Sequence, residues 1–299
     1  MSDIIFVSKI TEAAVFEQTY NHFQSNNLWH PNHHGYKAHH STSTALAQLY
    51  YLWVRGAEHK ELTAALLLDL SAAFDVVNHE ILLEKLQLYN FSPETLQWFK
   101  SYLSDRSQYV MVESRLSDPL QVGGQGVPQG SLLGPLCFII FYNDFPAARE
   151  AGESILYADD DTDNCSNKDP TELRNMIQHE ANLSTSWVHD NKLVCSGSKT
   201  KLLVIGTREM RQSKLVRTNT KIIIDVAGHK VEESQSERLL GLIVNNNMTW
   251  HNHLHGNDEH KGLIPKLCQR AGLVRKLSGV MPADRLRIVA NGVLYSLLS

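Results

Sequence analysis

A chain of 299 residues with a net charge of −4, 42% hydrophobic and 20% charged residues has the composition of a globular protein with ample core, in one large domain or two smaller ones. No apolar run reaches the length of a membrane span, and the N-terminal stretch, which holds Asp3 and Lys9, lacks the apolar core of a signal peptide. Cys137, Cys165, Cys195 and Cys268 form no C-x-x-C pair, which argues against a disulfide framework or a cysteine zinc site and makes an intracellular protein the expectation, nucleus or cytoplasm undecided.

In chain order, Ile10 to Phe23 reads as a helix without chemistry of its own. His30, His33, His34, His39 and His40 crowd the next stretch, and His251, His253 and His255 alternate later; zinc is one reading and polar surface the other. Ala64 to Leu70 is an apolar run broken once, by Asp69. It reads as a strand covered on both faces, with a helix as the alternative because Leu and Ala are good helix formers. A charge inside such a run needs a partner, a cation, or a place at the strand's open end.

Asn78 is placed to cap a helix through Tyr89, with Ile81, Leu82 and Leu86 inward and Lys85 snorkelling. Ser92-Pro93-Glu94 starts a second helix whose stripe is Leu96, Phe99 and Leu103. Gln108 to Val112 alternates like a strand. Gly126 to Pro135, G-V-P-Q-G-S-L-L-G-P, is a turn opening at Gly130 or Ser131 onto a buried helix to about Phe145.

Ile155 to Asp163 reads I-L-Y-A-D-D-D-T-D, a strand running into a tight turn, with Asp159, Asp160, Asp161 and Asp163 among its last five residues. Massed carboxylates are solvated, paired, or holding a cation, so a solvent-facing acidic loop and a magnesium or manganese site both stand. Adjacent strand residues point to opposite faces, so Asp159 and Asp160 reach one metal only at a hairpin tip. Asp69 is the candidate third carboxylate. Pro170 then starts a helix with Leu173, Ile177 and Trp187 inward, followed by strands near 201–205 and 221–227, a turn before Leu239, and amphipathic helices from about 262 and 283. The acidic net charge is unevenly spread. Lys199, Lys201, Arg208, Arg211, Lys214 and Arg217 face only Glu209, and seven basic residues from Lys261 to Arg287 face only Asp284. The basic C-terminal third is compatible with a phosphate backbone and equally with solvated helix faces.

These residues resemble a family. L-L-D-L-S-A-A-F-D-V-V-N-H (67–79), G-V-P-Q-G-S-L-L-G-P (126–135), Y-A-D-D (157–160), N-K-L-V-C-S-G-S-K-T (191–200) and L-L-G-L-I-V-N-N-N-M-T-W (239–250) resemble, in order, five motifs of the reverse transcriptase of non-LTR (LINE-type) retrotransposons. The resemblance covers roughly residues 29 to 299. It implies an α+β right-hand polymerase: partial fingers or an N-terminal helical segment over 1–60, a palm of antiparallel sheet on helices with interleaved fingers elements over 61–250, and a truncated helical thumb over 251–299.

It further implies an RNA-directed DNA polymerase that takes an RNA template, a DNA primer and deoxynucleoside triphosphates. Two Mg2+ (or Mn2+) ions would be held by Asp69, Asp159 and Asp160, which should cluster on one face of the sheet. Lys199 would be the fourth-motif proton donor to pyrophosphate; Leu70, Phe74, Gln129 and Gly130 would contact the nucleotide, with the Phe74 ring excluding a ribose 2′-hydroxyl and disfavouring an RNA polymerase on the same palm. Asp75 is expected to be structural, and the resemblance gives Asp161 and Asp163 no role.

H-H-G-Y-K-A-H-H-S-T-S-T-A-L resembles the family's stretch before the first palm strand but keeps only Lys37 where arginines are usual. With no upstream arginine motif or endonuclease region, the chain reads as a fragment of a retroelement polyprotein. A catalytically inactive remnant that at most binds nucleic acid is the alternative; oligomeric state is open.

Overall fold

The computed structural model describes residues 6–113, 115–216, 219–257 and 260–297, so Arg217 of the first basic run lies outside the described residues. The chain opens with α1 (Phe6–Ser25) and α2 (Thr42–Glu58), enters β1 (Leu62–Leu68), and passes through α3 (His79–Leu88) and α4 (Pro93–Leu103). A ribbon follows, made of β2 (Arg106–Gln108), β3 (Met111–Val112), β4 (Arg115–Leu116) and β5 (Leu120–Val122). Next come α5 (Leu133–Phe141), the hairpin β6 (Glu153–Tyr157) and β7 (Asp160–Asn167), α6 (Pro170–Asp190), β8 (Lys201–Ile205) and α7 (Arg208–Arg211). The last elements are β9 (Ile223–Val226), β10 (His229–Ser234), the hairpin β11 (Ser236–Leu239) and β12 (Leu242–Asn245), α8 (His251–His255), α9 (Leu263–Leu277) and α10 (Ala283–Leu294).

β1 is a strand because its apolar run is covered on both faces. Leu62, Ala64, Leu66 and Leu68 join the larger core with α3, α5 and α6, while Ala65 joins the smaller core under α2. That double coverage decides against the helix alternative. β1 sits inside a six-stranded sheet of order β6-β7-β1-β8-β10-β9, antiparallel to both β7 and β8. The sheet is mixed, not wholly antiparallel as expected, because β10 runs parallel to β8.

Several helix ends follow their capping residues. Asn78 Oδ1 accepts from Ile81 N at 3.1 Å, and Ser92 Oγ accepts from Thr95 N at 3.3 Å, with Pro93 in the first turn. Asp169 Oδ1 accepts from Thr171 N (2.8 Å) and Glu172 N (3.0 Å) at the start of α6. α5 runs from Leu133, and Ser131 Oγ accepts from Gly134 N at 2.8 Å, the same bond by which Asn78 and Ser92 open their helices, while Gly130 stays outside at φ +83°.

Two expectations are corrected. Lys85 does not snorkel: it is buried and donates to Phe141 O (2.7 Å) and Asp144 Oδ1 (2.6 Å), with Trp187 and Phe141 rings beneath its ammonium. Gln108–Val112 is not one strand. Gln108 pairs with Leu120 and Met111 with Leu116, and the ribbon leaves Val110, Met111, Val112 and Leu116 exposed. No helix among the described residues is long and apolar enough to cross a membrane.

Candidate active site

The acidic stretch folds as a hairpin. Tyr157 pairs with Asp160, which leaves Ala158 and Asp159 as a two-residue turn with Ala158 at φ +58°. Asp159 is therefore exposed at the tip and Asp160 opens β7. The β1–β7 ladder ends at Leu68 opposite Asp161, so Asp69 and Asp160 each lie one residue beyond its last pair, at the same end of the sheet.

Asp69 stands at the open end of β1, where its backbone leaves β7 and joins the segment before β8. Its carbonyl accepts from Ser196 N at 2.8 Å, its amide donates to Thr200 Oγ1 at 3.3 Å, and Leu70 bridges to Cys195. Asp69 Oδ2 lies out of solvent without a hydrogen-bond partner, and the Lys199 ammonium stands 3.9 Å from it. Lys199 is well exposed, so this ion pair adds little stability.

The electrostatics converge on the hairpin. Surrounding protein, then the charges of Asp159 and Asp69, hold the Asp160 carboxyl above the usual carboxylate range. Acidic oxygens crowded together in this way are the donor chemistry of a hard divalent cation. Among the described residues, however, no three His, Cys, Asp or Glu side chains stand close enough to grip an ion at once, so the carboxylates converge without closing.

The other expected residues line the same end of the sheet, except for one side chain. Phe74 is half-buried and stacks on Phe138 with centroids 4.3 Å apart. The glycine loop is laced to the turn after β1: Val127 N donates to Phe74 O and Gly126 N to Val77 O, each at 2.8 Å. Gly126 holds φ +85°, and a Cβ there would meet Asp75 O at 2.7 Å. Gln129 Nε2 donates to Asp75 Oδ1 at 2.9 Å, which gives Asp75 the expected structural bond, and Gly130 is exposed beside it. Leu70 is the exception, since its side chain is buried in the core and only its backbone is left to face a substrate.

Sequence reasoning missed what lies behind the hairpin. Asp161 and Asp163 are fully buried, which overturns a solvated loop for those two residues. Asp163 accepts from Arg149 Nη1 (3.2 Å), Ser184 Oγ (2.6 Å) and Ser154 Oγ, and Arg149 is itself buried against Glu180 at 3.9 Å. Asp161 has no side-chain partner for either oxygen, with only the Thr162 amide beside it, and burial, then Asp163, hold its carboxyl well above the ordinary range. No signal in D-D-D-T-D separates these residues from Asp159 and Asp160.

Among the described residues the histidines form no zinc site, and they are not uniform surface. His33 is fully buried with neither ring nitrogen hydrogen-bonded, while His34 bonds Thr44 Oγ1 (2.9 Å) and Gln48 Oε1 (2.7 Å). Lys37 turns inward to donate to His30 O at 3.1 Å. On α8, His251 and His255 stand one turn apart with rings 4.7 Å apart, but no third ligand joins them among the described residues.

A central strand ending in one aspartate, beside a hairpin that carries two more at its turn, is the palm of a polymerase fold. The chain belongs to the reverse transcriptase (RNA-dependent DNA polymerase) family, whose sequence model matches residues 4–244. It is 25% identical over 227 residues to the RNA-directed DNA polymerase from mobile element jockey of Drosophila melanogaster, covering 74% of this chain and 24% of that protein. The probable RNA-directed DNA polymerase from transposon BS of the same organism is 32% identical over 170 residues, covering 53% of this chain and 18% of that one. The X-element counterpart is 24% identical over 286 residues, 94% of this chain and 30% of that one. The chain thus spans less than a third of these relatives. Among solved structures, telomerase from Candida Tropicalis in complex with a TWJ fragment of telomeric RNA superposes with a TM-score of 0.55 at 14% identity, covering 98% of this chain and 45% of that one. The apo telomerase from Candida Tropicalis gives 0.53 at 12% identity, covering 80% and 40%. At those identities the likeness is one of fold.

Proposed function

We propose that this domain is an RNA-directed DNA polymerase that transfers a deoxynucleotide from its triphosphate to the 3′-hydroxyl of a DNA primer on an RNA template. The observation that carries the reading is the convergence of Asp159 and Asp69 on Asp160 at one end of the sheet. The family depends in general on a divalent metal. Bound Mg2+ or Mn2+, two ions in this reading, would polarise the attacking and leaving oxygens and neutralise developing charge.

In the proposal Asp69 and Asp159 hold both ions and Asp160 supports the one on the primer side. Phe74 takes the sugar and excludes a 2′-hydroxyl, Gln129 and Gly130 lie against the nucleotide, and Leu70 contributes its backbone. Lys199, beside Asp69, gives a proton to the departing pyrophosphate. In this reading residues 61–250 form the palm with interleaved fingers elements, 1–60 a further part of the fingers and 251–299 a helical thumb.

Primer extension on an RNA template tests this. Magnesium-dependent incorporation that Asp159→Ala lowers at least about 100-fold is the expected result; extension that survives Asp159→Ala overturns it. One observation favours the second reading, a nucleic-acid-binding remnant. Where the family usually carries arginines, Lys37 bonds a backbone carbonyl, and burial lowers its pKa. Binding of primer–template without extension would be that reading's signature.

A further inference from the structure

The inward stripe of α1 runs through Phe16, Thr19 and Phe23 at helical spacing, and Glu12 stands on the same stripe one turn earlier, only 2% exposed. An acid on a buried stripe is costly unless it is bonded. The partner of Glu12 is a backbone amide 120 positions away: its Oε2 accepts from Leu132 N at 2.8 Å, while Ser8 Oγ reaches Oε1 at 3.4 Å. Leu132 is the residue before α5, and its own side chain offers no acceptor. The bond is therefore a cap supplied by a distant helix.

We propose that Glu12 is a positioning residue for the incoming nucleotide, which from α1 fixes the downstream end of the turn that presents Gln129 and Gly130. The proposal rests on the polymerase reading above. Pro128 O accepts from Ser131 N (3.3 Å) and Ser131 Oγ (2.7 Å), so Gln129 and Gly130 are the middle residues of a tight turn, with Gly130 at φ +83°. The upstream end of that turn is tied to the segment after β1, by the bond from Val127 N to Phe74 O at 2.8 Å. Its downstream end is Leu132, and there the tie is Glu12. An amide bonded to an acidic side chain is held more firmly than one bonded to a neutral acceptor, and an acid is favoured at the first turn of a helix. Removing the acceptor should free one end of the turn, weakening contacts to the triphosphate and leaving those to the primer as they are. Thus α1, which bears none of the proposed substrate or metal contacts, sets the geometry of the nucleotide side of the site.

The test is extension of oligo(dT) on poly(rA) by the whole chain with dTTP, alongside amide hydrogen exchange of residues 127–134. Glu12→Leu keeps the bulk and removes the acceptor, whereas Glu12→Gln keeps an acceptor oxygen. Glu12→Leu should raise KM for dTTP about 10-fold or more, with affinity for the primer–template as in wild type. Exchange should quicken over 127–134 and not in the rest of the chain. Glu12→Gln should stay within about 3-fold of wild type on both readouts. A merely structural loss would lower kcat through the folded fraction, leave KM unchanged and quicken exchange throughout. The proposal is overturned by a KM indifferent to Glu12→Leu, by unchanged exchange over 127–134, or by Glu12→Gln as impaired as Glu12→Leu. If wild type extends no primer, the polymerase reading fails, and exchange alone decides the anchor. Quickening confined to 127–134 then keeps Glu12 as the anchor of the turn, and unchanged exchange removes it.

Discussion

Gly35 and Ala158 are in backbone contact, so the loop before α2 and the turn that carries Asp159 position each other. Gly35→Ala would force the two apart. Overpacking of this kind costs about 1–3 kcal/mol, and a shift of about 1 Å in positioned groups can cost about 100-fold in rate. The expected outcome is a modest fall in thermal stability with a disproportionate loss of primer extension. A variant with a lower melting temperature and wild-type turnover would show that the contact does not position the hairpin.

Arg149 and Asp163 are both buried and joined at 3.2 Å, with Ser154 and Ser184 completing the carboxylate's bonds. Removing one partner of a buried pair leaves the other charge unpaired, a loss of about 3–5 kcal/mol. Arg149→Leu should therefore be severely destabilising in urea denaturation, and Arg149→Leu with Asp163→Leu should recover much of the loss. Additive losses in the double variant would contradict this.

Asp161, two residues earlier on the same face, is predicted to behave in the opposite way. Neither of its oxygens has a side-chain partner to lose. Asp161→Val should be neutral or stabilising by about 1 kcal/mol, since it removes a buried polar group that no side chain satisfies. A large destabilisation in the same denaturation assay would mean that the carboxyl has a partner in solution.

His33 gives a pH dependence with a definite sign. Burial, then Lys37 and the neighbouring His34, His30 and His40, lower its pKa from 6.5 to about 3. The folded state keeps it neutral, whereas the unfolded chain takes up a proton below about 6.5. Its contribution is therefore intact above the unfolded pKa and is lost as pH falls toward the folded one, by on the order of 3–5 kcal/mol in full. His33→Leu should flatten the stability curve between about pH 6.5 and 4. An unchanged slope would place the imidazole in contact with water.

Phe74 and Asp75 separate a proposed substrate role from a structural one. Phe74→Val should relax rejection of ribonucleotides in single-nucleotide incorporation. Asp75→Asn, which keeps an oxygen to accept from Gln129 Nε2, should not. Equal ribonucleotide rejection by wild type and Phe74→Val would remove the ring from that role.

The sequence by itself determined the elements that carry local contrast. Asn78 and Ser92 announce helix starts because a side-chain oxygen must meet an orphan amide within three residues. The apolar run around Asp69 marked a buried segment, strand or helix, and I-L-Y-A-D-D a strand running into a turn. Tertiary structure decided everything that needs a second segment. In D-D-D-T-D no hydrophobic residue marks the inward face, so only the pairing of Asp161 with Leu68 sends Asp161 and Asp163 into the core and leaves Asp159 and Asp160 exposed at the hairpin tip. Lys85 reads as a snorkelling residue until Asp144 and the Phe141 carbonyl are folded onto it. Gly35 was silent in the sequence for the same reason. Its neighbour Ala158 lies more than a hundred positions away, and what joins them is backbone contact, which no side-chain pattern encodes.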